Sequence, residues 1–161
     1  MLYYIYTFLW SMVPVFELRF GIPYGILKLG VTSIMQSEAW LCYLVSVLGN
    51  ILPVPFLILF GGKILHWLAG FDKIGWPFRK IIEMGETKVA KIKSKTIFAA
   101  LLAFVAIPLP GTGAWTGALV AITLGLNLKK SFLPIALGVL IAGIIVLLAA
   151  TGAVAVFDIF L

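Results

Sequence analysis

Residues 108–118 read Pro-Leu-Pro-Gly-Thr-Gly-Ala-Trp-Thr-Gly-Ala and lie in the middle of a charge-free run, 96–128. The run has 33 residues, whereas one membrane crossing by a helix needs ~20 and two crossings need about twice as many. Two prolines and two glycines stand within 108–113, and this density interrupts a helix. The run is therefore too long for one span, too short for two, and broken at its centre.

The two arms of this run are too short to cross a bilayer separately. Residues 96–107 and 114–128 number 12 and 15, and at ~1.5 Å per residue the shorter arm reaches only ~18 Å. The pattern predicts a re-entrant helical hairpin. Its irregular turn must be shielded by protein or water, because lipid cannot hydrogen-bond the exposed backbone.

The composition excludes an ordinary soluble domain. Of 161 residues, 63% are hydrophobic and 11% are charged, against ~45–50% and ~25% in typical globular domains. The single cysteine, Cys42, and the single histidine, His66, provide neither a disulfide framework nor a metal-ligand cluster, so no metal or other cofactor is predicted. Because the first apolar stretch has no signal-peptide pattern, residues 1–161 are expected to form a single membrane domain.

Charge patterning places the remaining segments. The uncharged runs 39–62 and 131–157 are each long enough for one spanning helix. The segment 63–95 carries a net charge of +5, from eight basic and three acidic residues, and the positive-inside rule makes it cytoplasmic. The segment 1–30 resembles 96–128, because its apolar arms flank a predicted break at 17–23. It is expected to form a second re-entrant hairpin.

These assignments predict an all-α polytopic membrane protein. Each half has one hairpin followed by one main spanning helix, and the two halves have opposite orientations, which makes an inverted-topology repeat of the kind found in many secondary transporters. The alternative is two pairs of full-length, kinked helices. Within the cytoplasmic loop, apolar residues at helical spacing predict an amphipathic helix from Pro77 that lies on the membrane surface; these are Phe78, Ile81, Ile82, Val89 and Ile92.

Glu17 and Arg19 are the leading candidates for function, because charged residues at membrane depth are costly and usually have a role. They would be ion-bound, protonated or paired with each other. Thr112 is predicted to be the N-cap of a half-helix and Pro23 the first residue of another. Two helix N-termini beside Arg19 would bind an anion such as phosphate or carboxylate. Alternatively, the nearby glycines serve only for close helix packing.

Asn50 lies midway along the span 39–62 and is followed by two prolines that free backbone carbonyls one turn earlier. These freed carbonyls would coordinate a cation or water; the alternative is a kinked helix in which Asn50 is hydrogen-bonded to the neighbouring helix. The predicted substrate- or ion-binding residues are Glu17, Arg19, Asn50, Thr112, Gly113, Trp115 and Thr116. The predicted helix-breaking residues are Pro23, Pro53, Pro55, Pro108, Pro110 and Gly111.

Three motifs together, 17–23, 48–55 and 108–118, resemble the small multi-drug export protein family of prokaryotes over essentially the whole chain. That family is in turn distantly similar to the DedA and VTT membrane proteins, which also pair re-entrant loops. The chain has Phe20-Gly21 where the family more often has Gly-Ala. No residue role is transferred from DedA, because its charged residues lie in both hairpins and here the second hairpin, 96–128, has none.

The resemblance implies export, and with the residues above it favours a secondary-active transporter. Its substrate would be small and amphipathic or anionic, with a lipid phosphate as one option, and transport would be coupled to protons or ions. The competing functions are a lipid-modifying membrane enzyme and a structural or assembly factor. The expected location is a prokaryotic inner membrane, the partners are lipid and substrate rather than nucleic acid, and a homodimer remains open.

Overall fold

A computed structural model describes the backbone of residues 1–71 and 75–160, and their side chains except at 81, 85, 86, 88–91 and 155–160. Across these residues the chain is helical and contains no strand, as predicted. The helices are α1 (Leu2–Met12), α2 (Glu17–Leu29), α3 (Ser37–Ile51), α4 (Pro53–Ala69), α5 (Trp76–Lys91), α6 (Ser94–Ala106), α7 (Ala114–Thr123) and α8 (Leu128–Phe160).

Among the residues that the structure describes, two helices are long and apolar enough to cross a membrane. One is the continuous stretch Ser37–Ala69, which comprises α3 and α4, and the other is Leu128–Val154 within α8. The helix that contains the predicted span 39–62 extends from Ser37 to Ala69 and so continues past Lys63. A lysine near the end of a span can extend its charge to the membrane surface.

The prolines of this span do not break its helix. Leu52 keeps right-handed helical angles and donates its N–H to the Leu48 carbonyl at 3.0 Å. Pro53 and Pro55 occupy the first turn of α4, where proline is tolerated. They remove the N–H groups that would bond to the carbonyls of Gly49 and Ile51, so the predicted free carbonyls arise within a continuous helix.

The predicted break at 108–113 is confirmed. Helix α6 ends at Ala106, α7 begins at Ala114, and Gly111 has a positive φ of 85°. Ser94, the first residue of α6, and Lys129, near the start of α8, line the same pocket. Helix α6 runs parallel to α8, because Ser94 lies near Lys129 and Val105 lies against Gly138.

The break predicted at 17–23 lies earlier in the chain. Residues 13–16 separate α1 from α2, and Val15 and Glu17 have positive φ angles of 76° and 50°. Pro23 lies inside α2 rather than at its first position. Pro23 has no N–H to donate, so the carbonyl of Arg19, four residues earlier, loses its intrahelical partner.

Small residues bring α1, α2 and α3 into close contact. Ser11 of α1 lies directly against Gly21 of the antiparallel helix α2, and Thr7 lies against Gly25. Gly49 of α3 faces the carbonyl of Phe8, and α3 runs parallel to α1. Helices this close gain dispersion energy even where lipid removes the hydrophobic driving force.

The first half of the chain packs on the second through α3 and α8. These helices are antiparallel, and the Tyr43 hydroxyl donates to the Leu140 carbonyl at 3.2 Å. Gly143 accommodates the Tyr43 ring and the Val47 side chain. Helix α2 also packs on α8, whereas α7 packs on α4. The beginnings of α2 and α7 therefore meet in the interior.

The helix predicted from Pro77 is present as α5. Phe78 and Ile82 are half-buried, whereas Arg79 and Lys80 are exposed, which agrees with an amphipathic helix. The predicted apolar side chains of Ile81 and Val89 lie outside the described residues, as do residues 72–74 of the basic loop.

Close packing at Gly49 can be tested with a matched pair of substitutions. A Cβ at Gly49 would lie 2.5 Å from the Phe8 carbonyl oxygen, whereas a Cβ at Gly62 would meet nothing within 4 Å. Gly49→Ala should reduce the free energy of unfolding by about 1–3 kcal/mol. Gly62→Ala should leave it unchanged or raise it by up to about 1 kcal/mol, because alanine favours helix. Denaturant unfolding in detergent measures both, and equal effects would contradict this packing.

Candidate functional site

Glu17 is a buried carboxylate that caps a helix from the other half of the chain. It is the first residue of α2, and 4% of its surface is exposed. Its Oε1 accepts the backbone N–H of Trp115, the second residue of α7, at 3.1 Å. The first N–H groups of a helix lack intrahelical partners, and a negative charge there is stabilised by the helix dipole. The group at the α7 N-terminus is thus the Glu17 side chain itself.

Arg19 binds the loop that leads into the same helix end. Its Nη2 donates to both the carbonyl oxygen and the hydroxyl oxygen of Thr112, the latter at 3.1 Å. The Thr112 hydroxyl donates within the loop, with the Ile107 carbonyl at 2.6 Å. The prediction of Thr112 as N-cap is wrong, because Gly113 holds that position and Glu17 supplies the capping oxygen. Glu17 and Arg19 therefore act on neighbouring parts of one segment.

Trp115 provides a third link between the two halves. Its indole Nε1 donates to the carbonyl of Met12 at 3.1 Å, and Met12 is the last residue of α1. The orphan carbonyls at a helix C-terminus need such donors. Residues 12–19 and 112–115 therefore satisfy each other's backbone groups where lipid could not.

Gly113 leaves the space that the Glu17 carboxylate fills. A Cβ at Gly113 would collide with Oε2 of Glu17, and Gly113 has φ 134° and ψ −166°. That conformation is almost exclusive to glycine. Both the backbone conformation and the adjacent carboxylate therefore require glycine at this position.

Asn50 faces the same interior cleft and lies beside the Glu17 carboxylate, with which it interacts. It is 1% exposed, and neither its amide nitrogen nor its amide oxygen makes a hydrogen bond of standard geometry among the described residues. The cleft has no room for a water molecule. A buried polar group left without a partner costs about 1–3 kcal/mol. The cleft is lined by Glu17, Leu18, Arg19, Asn50, Val105, Gly113, Ala114, Val139 and Ala142.

Most of the predicted site residues thus meet in one place. Glu17, Arg19, Asn50 and Gly113 line the cleft, and Thr112 and Trp115 bond to its charged side chains. Thr116 lies apart from this lining and donates to the Gly113 carbonyl at 3.3 Å, within its own helix. Among the described side chains, no three His, Cys, Asp or Glu residues cluster in a way that would hold a metal ion.

Ser46 is a polar residue that the sequence interpretation missed. It is fully buried, and its hydroxyl has no hydrogen bond among the described residues. Ser46 lies one turn before Asn50 on the same face of α3. The four-residue spacing of two polar side chains in an apolar span was the available signal. Val139 and Ala142 were also missed, and as two apolar residues of α8 they carry no comparable signal.

The fold and the site together define a class: a helical membrane protein with two apolar spans and a buried charged cleft between its halves. The family model described as "Putative small multi-drug export protein" matches residues 17–145. The chain belongs to this family, as the motifs predicted, and the match begins at Glu17. Comparison with curated proteins and with solved structures gave no significant match.

The fit between Gly113 and Glu17 predicts unequal effects of two alanine substitutions. Gly113→Ala adds a collision with the carboxylate to a strained backbone, whereas Gly111→Ala, at φ 85° with nothing within 4 Å of its Cβ, adds only strain. Strain of this type costs about 1–3 kcal/mol. Thermal unfolding in detergent should therefore show a markedly larger loss for Gly113→Ala. Equal losses would indicate that the carboxylate lies elsewhere.

Proposed function

We propose that the protein is a secondary-active membrane transporter that exports or flips a small amphipathic or anionic substrate, with a lipid phosphate as one candidate, and that transport is coupled to protons or another ion. The observation that carries the proposal is the buried Glu17 carboxylate at the junction of two half-helix N-termini. A carboxylate at membrane depth is expensive, and a structural cap alone could be supplied by a neutral side chain.

The proposed architecture is an inverted-topology repeat in which each half has a re-entrant hairpin and a spanning helix. In the first half, Ser11 of α1 contacts both Gly21 of α2 and Gly49 of α3. In the second half, Val105 of α6 makes the same kind of contact with glycines of α7 and α8, namely Gly117 and Gly138. The antiparallel arrangement of α3 and α8 supports opposite orientations.

This correspondence assigns each site residue a counterpart. Glu17 lies four residues before Gly21, and Gly113 lies four residues before Gly117. Likewise, Asn50 follows Gly49, and Val139 follows Gly138. All four counterparts line the cleft, which would therefore lie on the pseudo-twofold axis. Such interfaces hold the substrate sites of many inverted-repeat transporters.

In the proposed mechanism, Glu17 carries the coupling proton or binds the coupling ion, and Arg19 with the helix ends holds the anionic group. In this proposal the cleft, which has no room for water in the structure, opens during transport. Rocking of one repeat against the other would open it alternately to each side. The location we propose is a prokaryotic inner membrane with residues 63–95 in the cytoplasm.

The topology can be tested by cysteine labelling. Lys95 and Lys129 are exposed at the two ends of the second hairpin. In a Cys42→Ala background, Lys95→Cys and Lys129→Cys should both react with an impermeant maleimide only from the cytoplasmic side. Glu38→Cys, at the start of α3, should react from the opposite side. Labelling of positions 95 and 129 from opposite sides would exclude the inverted repeat.

Transport can be tested in vesicles with a pH gradient, screening lipid-phosphate analogues and cationic drugs. Glu17→Gln should lose pH-driven accumulation yet keep substrate exchange, because glutamine mimics the protonated acid. Glu38→Gln, an exposed control, should retain both activities. Arg19→Gln should weaken binding of an anionic substrate at least tenfold, whereas Lys28→Gln on the same helix should not. A folded Glu17→Gln protein that still concentrates substrate would refute the coupling role.

A further inference from the structure

The backbone N–H groups at the start of α7 are available to only one anion at a time. Glu17 Oε1 already accepts from Trp115 at 3.1 Å, and the carboxylate also fills the space beside Gly113. A substrate anion bound at this helix end would need the same donor and the same space. Two negative charges within a cleft too tight for water would also repel each other strongly.

The remaining charges of the cleft favour an anion over a metal cation. The N-termini of α2 and α7 each contribute about +0.5, Arg19 contributes +1, and ionised Glu17 contributes −1. The sum is about +1, and it rises to about +2 when Glu17 is protonated. Apart from Glu17, Arg19 is the one charged or titratable residue that lines the cleft. The residues that line it from α3, α6, α8 and the start of α7 are uncharged; they are Asn50, Val105, Gly113, Ala114, Val139 and Ala142.

Asn50 is the independent sign that a ligand belongs here. Its amide is buried beside the Glu17 carboxylate, makes no hydrogen bond of standard geometry among the described residues, and faces the cleft. A carboxamide has both donors and an acceptor. It can donate to an anion and also accept the O–H of a protonated Glu17. Both bonds of Arg19 to Thr112 use Nη2, and a guanidinium has five N–H donors.

We propose that the Glu17 carboxylate is an internal ligand that competes with an anionic group of the substrate, a phosphoryl monoanion, so that each anion bound is accompanied by one proton taken up from solvent by Glu17. The proton forms an O–H bond on the Glu17 carboxylate, and the Trp115 N–H transfers its hydrogen bond to an oxygen of the anion. This deepens the proposed transport function and rests on it for its physiological meaning, but it is a statement about equilibrium binding.

The competition predicts how anion affinity depends on pH. The probes are diethyl phosphate and dihexanoyl phosphatidylglycerol, which share a phosphodiester whose charge is constant at neutral and mildly acidic pH. With the protein in phosphatidylcholine nanodiscs, Kd should fall by about tenfold for each unit of pH lowered while Glu17 is ionised in the free protein. Binding of the first probe identifies a free anion site, and binding of the lipid alone identifies a lipid headgroup site.

The variants separate competition from a general effect of pH. Glu17→Gln should bind the probe with a Kd independent of pH and at least tenfold lower than that of the wild type at high pH. The control Glu38→Gln should keep the wild-type slope. A flat profile in the wild type, an unchanged slope in Glu17→Gln, or failure of both probes to bind at low pH would overturn the proposal.

A second measurement avoids dependence on the folding of Glu17→Gln, which loses a charged cap. Calorimetric titration of the wild type in two buffers of different ionisation enthalpy gives the number of protons taken up per anion. The expected value is about one at a pH where Glu17 is ionised, and zero would overturn the proposal. Anion binding that takes up a proton, without transport in vesicles, would reject only the transport function. Transport by a protein whose anion binding takes up no proton would reject only the competition.

Discussion

The carboxylate of Glu17 at the N-terminus of α7 is the contact on which the arrangement of the two halves depends. Neither of the chain segments that meet there could stand in lipid alone, because each exposes backbone groups at a helix end. Glu17 satisfies an N–H of α7, Arg19 satisfies the carbonyl of Thr112, and Trp115 satisfies that of Met12. Each segment supplies the hydrogen-bond partners that water would otherwise provide. This explains how an irregular backbone can persist at the centre of an apolar protein.

The two halves contribute unequally to the cleft. The first half supplies its polar side chains, Glu17, Arg19 and Asn50, and in the proposed repeat the counterparts of Glu17 and Asn50 are Gly113 and Val139. Only one carboxylate fits at the junction, so the corresponding position must be empty of side chain, which is the physical reason for glycine at 113. Such asymmetry leaves one titratable group to respond where a symmetric pair would repel.

The sequence predicted the features that arise from local chemistry. Pro108, Pro110 and Gly111 forced the helix break that the structure contains, because their restrictions act on their own backbone. The break near Glu17 was predicted at 17–23 but lies at 13–16, where Pro14 was the available local signal; the positive φ at Val15 and Glu17 has no marker such as glycine, because it depends on the surrounding fold. For the same reason Thr112 was assigned as N-cap: nothing local indicates that the capping oxygen comes from a residue 98 positions away.

The second hairpin is divided between the two long helices. Helix α6 follows α8, α7 follows α4, and they touch at Val105 and Gly117 near the turn. Farther from the turn they enclose an apolar cavity of about 270 Å³. A change in the crossing angle of the long helices would therefore change the separation of α6 and α7, with residues 107–113 as the hinge. A movement at the open end of this helix pair would reach Gly113 as a change in its backbone conformation.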